Sequence, residues 1–232
     1  MTVISTVLLD FGGTLDSRGL HWSTQFARSF RACGVACDRR VLDHAFLRSD
    51  HRIDQISTVD KLDFESYVGL QAGFIVEDLG LPSAVAANAA SAFVAAAAPH
   101  LARSRALLER YRDRFRFGLV SNFSPSLMVI LDRSGLAPLF SAVVVSAVVG
   151  CRKPERRIFE LALDALGATK EETGMIGDSL RNDVTAAKNV GLTTVWLHGD
   201  EDFGGGDPSA ADHETDDLAD ALGWLAERGR GA

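Results

Sequence analysis

Five polar residues stand at or a short loop beyond the ends of short apolar runs in this chain. Asp10 follows TVLL, Ser121 and Asn122 follow FGLV, Lys153 lies in CRKPE a short loop beyond AVVV, and Asp178 follows GMIG. Each alone suits a turn or a helix cap. Taken together they suit transfer of a phosphoryl group to a carboxylate. Asp10 and Asp178 could share a Mg²⁺, which takes one or two carboxylates plus substrate phosphate. The cation lets an anionic nucleophile approach an anionic phosphate. Ser121 and Lys153 would hold the remaining non-bridging oxygens, and such stabilisation is most of what a protein contributes to phosphoryl transfer. Gly12 and Gly13 let the chain turn tightly under the phosphate, and an aspartyl-phosphate on Asp10, later hydrolysed, follows from that placement.

The elements that must position these groups are legible as well. Five runs rich in Val, Ile and Leu, at 6–10, 117–122, 142–146, 174–178 and 193–198, lack polar alternation. A parallel sheet buried on both faces requires such strands. Helical periodicity fills the gaps at 103–114, 125–134, 155–166 and 182–190, the last three stopped by Gly135, Gly167 and Gly191. Strand and helix in alternation predict a doubly wound α/β fold, which binds ligands at the carboxyl ends of its strands. All five polar residues belong to those ends.

One gap is far longer than a crossover. The segments at 21–34, 38–53, 63–80 and 83–99 place apolar residues three or four apart, predicting an all-helical insertion between the first strand and its sheet. The predicted division is a core of 1–17 and 100–232 and an insertion of 18–99. Its linkers at 17–19 and 99–102 would let it hinge as a lid. The acidic segment 199–217 reads as a surface loop before a last helix at 217–229.

Composition bounds the function. The chain has 232 residues, 47% of them hydrophobic, and a formal net charge of -7, which argues against general affinity for nucleic acid. The first ten residues carry no basic region, and their apolar run is too short for a signal peptide or a membrane helix. The three cysteines, Cys33, Cys37 and Cys151, are odd in number and lack an accompanying His or second pair. Reduced thiols and a cytoplasmic location follow as expectations. The expected partner is a small phosphorylated metabolite, with no nucleic acid and no membrane, and the chain is expected to act as a monomer or homodimer.

DFGGTLD at 10–16, VSN at 120–122, RKPERRIF at 152–159 and GDSLRNDVTAAKNVG at 177–191 resemble, in that order, the four motifs of the haloacid dehalogenase-like (HAD) superfamily of hydrolases. The resemblance covers the whole core. It implies a Rossmann-like core with a C1-type cap in place of the helical insertion, and a Mg²⁺-dependent phosphatase. It implies that Asp10 is the nucleophile, that Asp10, Asp178 and the Gly12 carbonyl are metal ligands, and that Asp183 supports the metal. Ser121 and Lys153 would bind phosphate, with Asn122 alongside. The departure is Gly12, where most phosphatases of the superfamily carry a second Asp that protonates the leaving oxygen. Asp16 and His21 are candidate substitutes. Three other readings stay open: a haloacid dehalogenase, a phosphonate-cleaving enzyme using Lys61 as a Schiff base, and a HAD-fold binding protein that has lost its acid.

Overall fold

The computed structural model describes residues 3–199 and 205–228. Six parallel strands form one sheet in the order β3-β2-β1-β4-β5-β6. They are β1 (Thr6–Leu9), β2 (Arg116–Ser121), β3 (Ala142–Val145), β4 (Thr173–Gly177), β5 (Thr193–Leu197) and β6 (His213–Thr215). The central strand is β1, whose Leu8 lies opposite Gly118 on one side and Met175 on the other. Strand alternation divides its side chains between two cores. Val7 and Leu9 join the layer that includes the insertion, while Leu8 packs with Val120, Met175, Ile158 and Phe159 on the other face. The chain steps from β1 outward to β2 and β3, then crosses back to β4. Asp10 therefore ends the strand at the switch point, where a crevice opens beyond the carboxyl ends.

The insertion consists of α1 (Trp22–Ala32), α2 (Arg39–Ile53), α3 (Phe64–Asp78) and the first half of α4 (Ala84–Tyr111). Asp38 caps α2 by accepting from the N–H groups of Arg40 and Val41, and Asp63 caps α3 by accepting from Ser66. The core supplies α5 (Leu127–Arg133), the short α6 (Ser146–Val149), α7 (Arg156–Leu166), α8 (Ala186–Val190) and α9 (Leu218–Glu227). In α7, Ile158, Phe159, Ala162, Leu163 and Leu166 make one buried face against the sheet, and Gly167 ends the helix in the left-handed region.

Two expectations need correction. The break at 99–102 is absent, because α4 runs unbroken through Pro99. Ala89, Phe93, Ala97, Leu101, Ser104 and Leu108 form one buried stripe along it, and Ser104 Oγ donates to Leu15 O at 2.8 Å. Packing along this face holds together a helix that loses one backbone hydrogen bond at the proline. The boundary at 99/100 thus falls inside a helix. By length and composition α4 could cross a membrane, with a mean hydropathy of 1.3 over its most apolar window. Its apolar character is largely alanine, and its buried stripe belongs to the core shared with α1, α3 and the sheet. The second correction is β6, which lies within the expected loop 199–217 and pairs with β5 through Val195 and His213. Its three residues, HET, carry no apolar run to betray it.

Candidate active site

Asp10 leaves the end of β1 only 6% exposed, with its N–H donating to Ile176 O. Lys153, from the loop beyond β3, is 3% exposed and all three of its ammonium protons are engaged. Nζ donates to Asp10 Oδ1 at 2.6 Å, to Asp183 Oδ1 at 2.5 Å and to Val120 O at 2.9 Å. Burial works to lower its pKa, but the Asp10 and Asp183 carboxylates overcome it and hold the ammonium above its ordinary range. Lys153 is a fixed positive charge rather than a proton donor. Asn122 positions it: Oδ1 accepts from the Lys153 N–H at 2.8 Å while Nδ2 donates to the Lys153 carbonyl at 2.9 Å. Ser121, buried at the end of β2, lines the same crevice.

Asp183 sits on a π-helical turn, Leu180–Thr185, in which the Val184 N–H reaches back to Ser179 O. Such turns carry an extra residue into a helix and re-aim a side chain. The Ser179 N–H donates to Asp183 Oδ2 at 3.0 Å. Carboxylate oxygens of Asp10, Asp178 and Asp183 all lie within 4.8 Å of one another. Burial, then the charges of Asp10 and Asp183, push the Asp178 carboxyl well up, and burial raises Asp183 to about 6 against the pull of Lys153. Three clustered acids facing one ammonium are what a divalent cation would relieve, and oxygen donors of this kind suit Mg²⁺. Gly13 makes the arrangement possible. Its φ is 91°, and a side chain there would run into the Asp178 carboxylate.

Gly12 is different, since its backbone is not left-handed. A Cβ on Gly12 would lie 2.8 Å from Trp22 Nε1, so the indole at the start of α1 fills the volume that a side chain at position 12 would enter. Asp16 holds that indole in place. Its Oδ2 accepts from Trp22 Nε1 at 2.5 Å, while Oδ1 accepts from the Gly13 N–H at 2.7 Å and Gln25 Nε2 at 3.3 Å. Asp16 is fully buried and does not line the crevice, which removes it as a direct substitute acid. His21 does line it. Burial lowers its imidazole to about 4, with Asp43 opposing, so at neutral pH it is an uncharged ring whose Nδ1 caps α1. Lys61 lies in a short 3-10 turn, Val59–Lys61, exposed and outside the crevice, which leaves the Schiff-base reading without its residue.

The crevice is a cavity of about 370 Å³ with the carboxyl ends of the strands on one side and the insertion on the other. Trp22, Phe46, Asp50, Asp54 and Tyr67 contribute the insertion's wall. None was singled out from sequence, because each belongs to a helical apolar or charged pattern that reads equally as core or as solvated face.

A family model described as haloacid dehalogenase-like hydrolase matches residues 4–191. The chain belongs to this family. Pyrimidine 5'-nucleotidase YjjG of Escherichia coli is 36% identical over 94 residues, covering 40% of this chain and 42% of that protein. Phosphoserine phosphatase of Thermus thermophilus is 39% identical over 92 residues, covering 39% and 37%. The matched stretch spans well under half the length of each of these relatives. Among solved structures, a dehalogenase with an intermediate complex superposes with a TM-score of 0.67 at 17% identity, covering 97% of this hydrolase and 99% of that chain. A HAD phosphatase from Thermococcus onnurineus gives 0.56 at 24%, covering 95% and 97%. At such identities the likeness concerns the fold alone.

Proposed function

We propose that this hydrolase is a Mg²⁺-dependent phosphatase that cleaves a small phosphate monoester through an aspartyl-phosphate on Asp10, with residues 18–99 acting as a C1-type cap. The observation that carries the reading is the convergence of Asp10, Asp178 and Asp183 within 4.8 Å around the Lys153 ammonium. Asp10, Asp178 and the Gly12 carbonyl would hold the Mg²⁺, with Asp183 in support. Bound there, the cation would offset the charge between carboxylate and phosphate. Lys153 holds Asp10 Oδ1 in place, and it lends its charge to the phosphoryl oxygens as the bond to the leaving alcohol breaks. Ser121 binds phosphate beside it. Asn122, with both ends of its amide on the Lys153 peptide, acts by fixing that loop. Trp22, Phe123 and Tyr67 line the same cavity as the nucleophile.

The test is a panel of phosphate esters and 2-haloacids scored in parallel for phosphate and halide release, with Mg²⁺ and with excess chelator. Phosphate release that chelator abolishes and Asp10→Asn reduces by at least about 10³-fold is the expected result. Halide release that persists in chelator would replace the reading with a dehalogenase. No release of either product would favour a binding role.

A further inference from the structure

The insertion side of the cavity has a chemistry that phosphate binding does not use. Phe46 and Asp50 on α2, and Asp54 at its C-cap, follow each other at intervals of four, so they form one ridge, and that ridge lines the cavity with His51 beside it. Two arginines of α2 are engaged elsewhere. Arg48 pairs with Asp78 at 2.6 Å and Arg52 with Glu77 at 2.6 Å, both on α3. Asp50 is held instead by a neutral group, Gln71 Nε2, which donates to Oδ1 at 2.6 Å. Gln71 is fully buried, and its Oε1 has no donor. A carboxylate offers about four acceptor sites, so most of the capacity of Asp50 is unused. Asp50 thus brings unfilled acceptor capacity to this wall.

Charge points the same way. Asp50 and Asp54 stand on the insertion side, and the core loop adds the carboxylate of Glu155 and the guanidinium of Arg152, whose charge acts on both aspartates. Burial and the neighbouring Asp54 push the Asp50 carboxyl up to about 7 against Gln71 and Arg152, and burial raises Asp54 while Arg152 and His51 oppose it. Two carboxylates sharing a helix face with too little positive charge between them would gain from a cation brought by the substrate.

We infer that Asp50 and Asp54 form a leaving-group subsite that selects phosphate esters whose alcohol carries a protonated amine. The inference rests on the phosphatase reading of this same cavity. The phosphate end would meet Lys153 and the metal, while the ammonium end would supply donors to the α2 ridge. Phe46 and Tyr67 line the same wall, and aromatic rings near such a site also favour a cation. A neutral tail brings Asp50 no added countercharge, and a carboxylate tail meets like charge, so selection works by exclusion as well as attraction. The cavity of about 370 Å³ limits the alcohol to a small one.

The test compares kcat/KM for 2-aminoethyl phosphate, 2-hydroxyethyl phosphate and phosphoglycolate, with 4-nitrophenyl phosphate as a measure of turnover without a charged tail. The amine ester should exceed the hydroxyl ester by about tenfold, the factor that one charge-assisted hydrogen bond carries. Asp50→Asn should bring that ratio close to one. Asp54→Asn, which does not touch Gln71 and is exposed to solvent, should reduce it by a smaller factor. Calorimetric titration with 2-aminoethylphosphonate and ethylphosphonate in Mg²⁺ repeats the comparison without turnover. A native protein that cleaves the aryl ester but treats amine and hydroxyl esters alike would overturn the subsite, as would a preference that survives both substitutions. If no ester is cleaved, the phosphatase reading fails and the titration decides: tighter binding of the amine that Asp50→Asn removes supports the subsite, and equal binding overturns it.

Discussion

Gly12 is explained at the scale of the residue by what stands over it. The Trp22 indole occupies the space that a second acid would need, and Asp16 fixes the indole by a 2.5 Å hydrogen bond. Gly12→Asp should therefore overpack the site and lower stability by about 1–3 kcal/mol. It should bring no gain on alkyl phosphates, because the new carboxylate has nowhere to lie. Urea denaturation and an alkyl ester assay check this, and an unchanged midpoint with faster alkyl turnover would show that the indole yields. Asp16 gives a second prediction. Burial raises its carboxyl to about 7, although the Gly13 N–H, Trp22 and Gln25 all donate to it and favour the charged form. A raised acid contributes stability that is complete below its unfolded pKa and is lost as pH rises through the folded one, here from about pH 4 to about pH 7. The corresponding change is on the order of 4 kcal/mol. Stability measured across that range should fall more steeply in the native chain than in Asp16→Asn, and parallel curves would mean that Asp16 is already ionised at low pH.

Elements decide how much of this could be read from sequence. The five apolar runs became β1 to β5 because strands covered on both faces leave no room for polar alternation. Asp10, Ser121, Asn122, Lys153 and Asp178 were legible for the same reason, since each follows such a run and the topology gathers the strand ends on one rim. The insertion's contribution was not. Trp22, Asp50, Asp54 and Tyr67 reach the cavity through the packing of α1, α2 and α3 on the core, and helical periodicity names a face without naming what it faces. Nor could spacing show that the Asn122 amide clamps the Lys153 peptide. Pro99 was read as a boundary because proline removes a helix hydrogen bond, yet the stripe from Ala89 to Leu108 packs strongly enough to carry α4 through it. Pro99 is itself exposed, so Pro99→Ala removes no buried contact. The substitution should raise stability, by up to about 3 kcal/mol if the full helix-interior penalty is present. Chemical denaturation checks it, and a loss of stability would show that the proline sets a bend that the packing needs.

At the scale of the whole molecule, the insertion and the sheet share one core. Phe11 and Phe123, from the core, meet Trp22, Phe64 and Tyr67 of the insertion, with Tyr67 stacked on Phe123 at 4.7 Å and Trp22 edge-on to Phe123 at 5.4 Å. Such aromatic pairs add about 0.5–1.5 kcal/mol each beyond the area they bury. The first junction is tied down as well: Ser17 Oγ donates to Gly13 O at 2.8 Å, and the Gly19 N–H donates to the same carbonyl at 2.9 Å. At the other junction α4 passes without interruption from α1 and α3 to the side of the sheet. An insertion fastened in this way is expected to melt with its core in one transition, with calorimetric and van't Hoff enthalpies in agreement. Residues 18–99 expressed alone should not unfold cooperatively. That fragment ends in the middle of α4, leaves the carbonyls of its last turn without partners, and exposes the faces of Trp22 and Tyr67 that Phe123 covers. Two resolved transitions in the full chain, or a sharp melt in the fragment, would show that the insertion folds as a unit of its own and is joined to the site by contacts it can release.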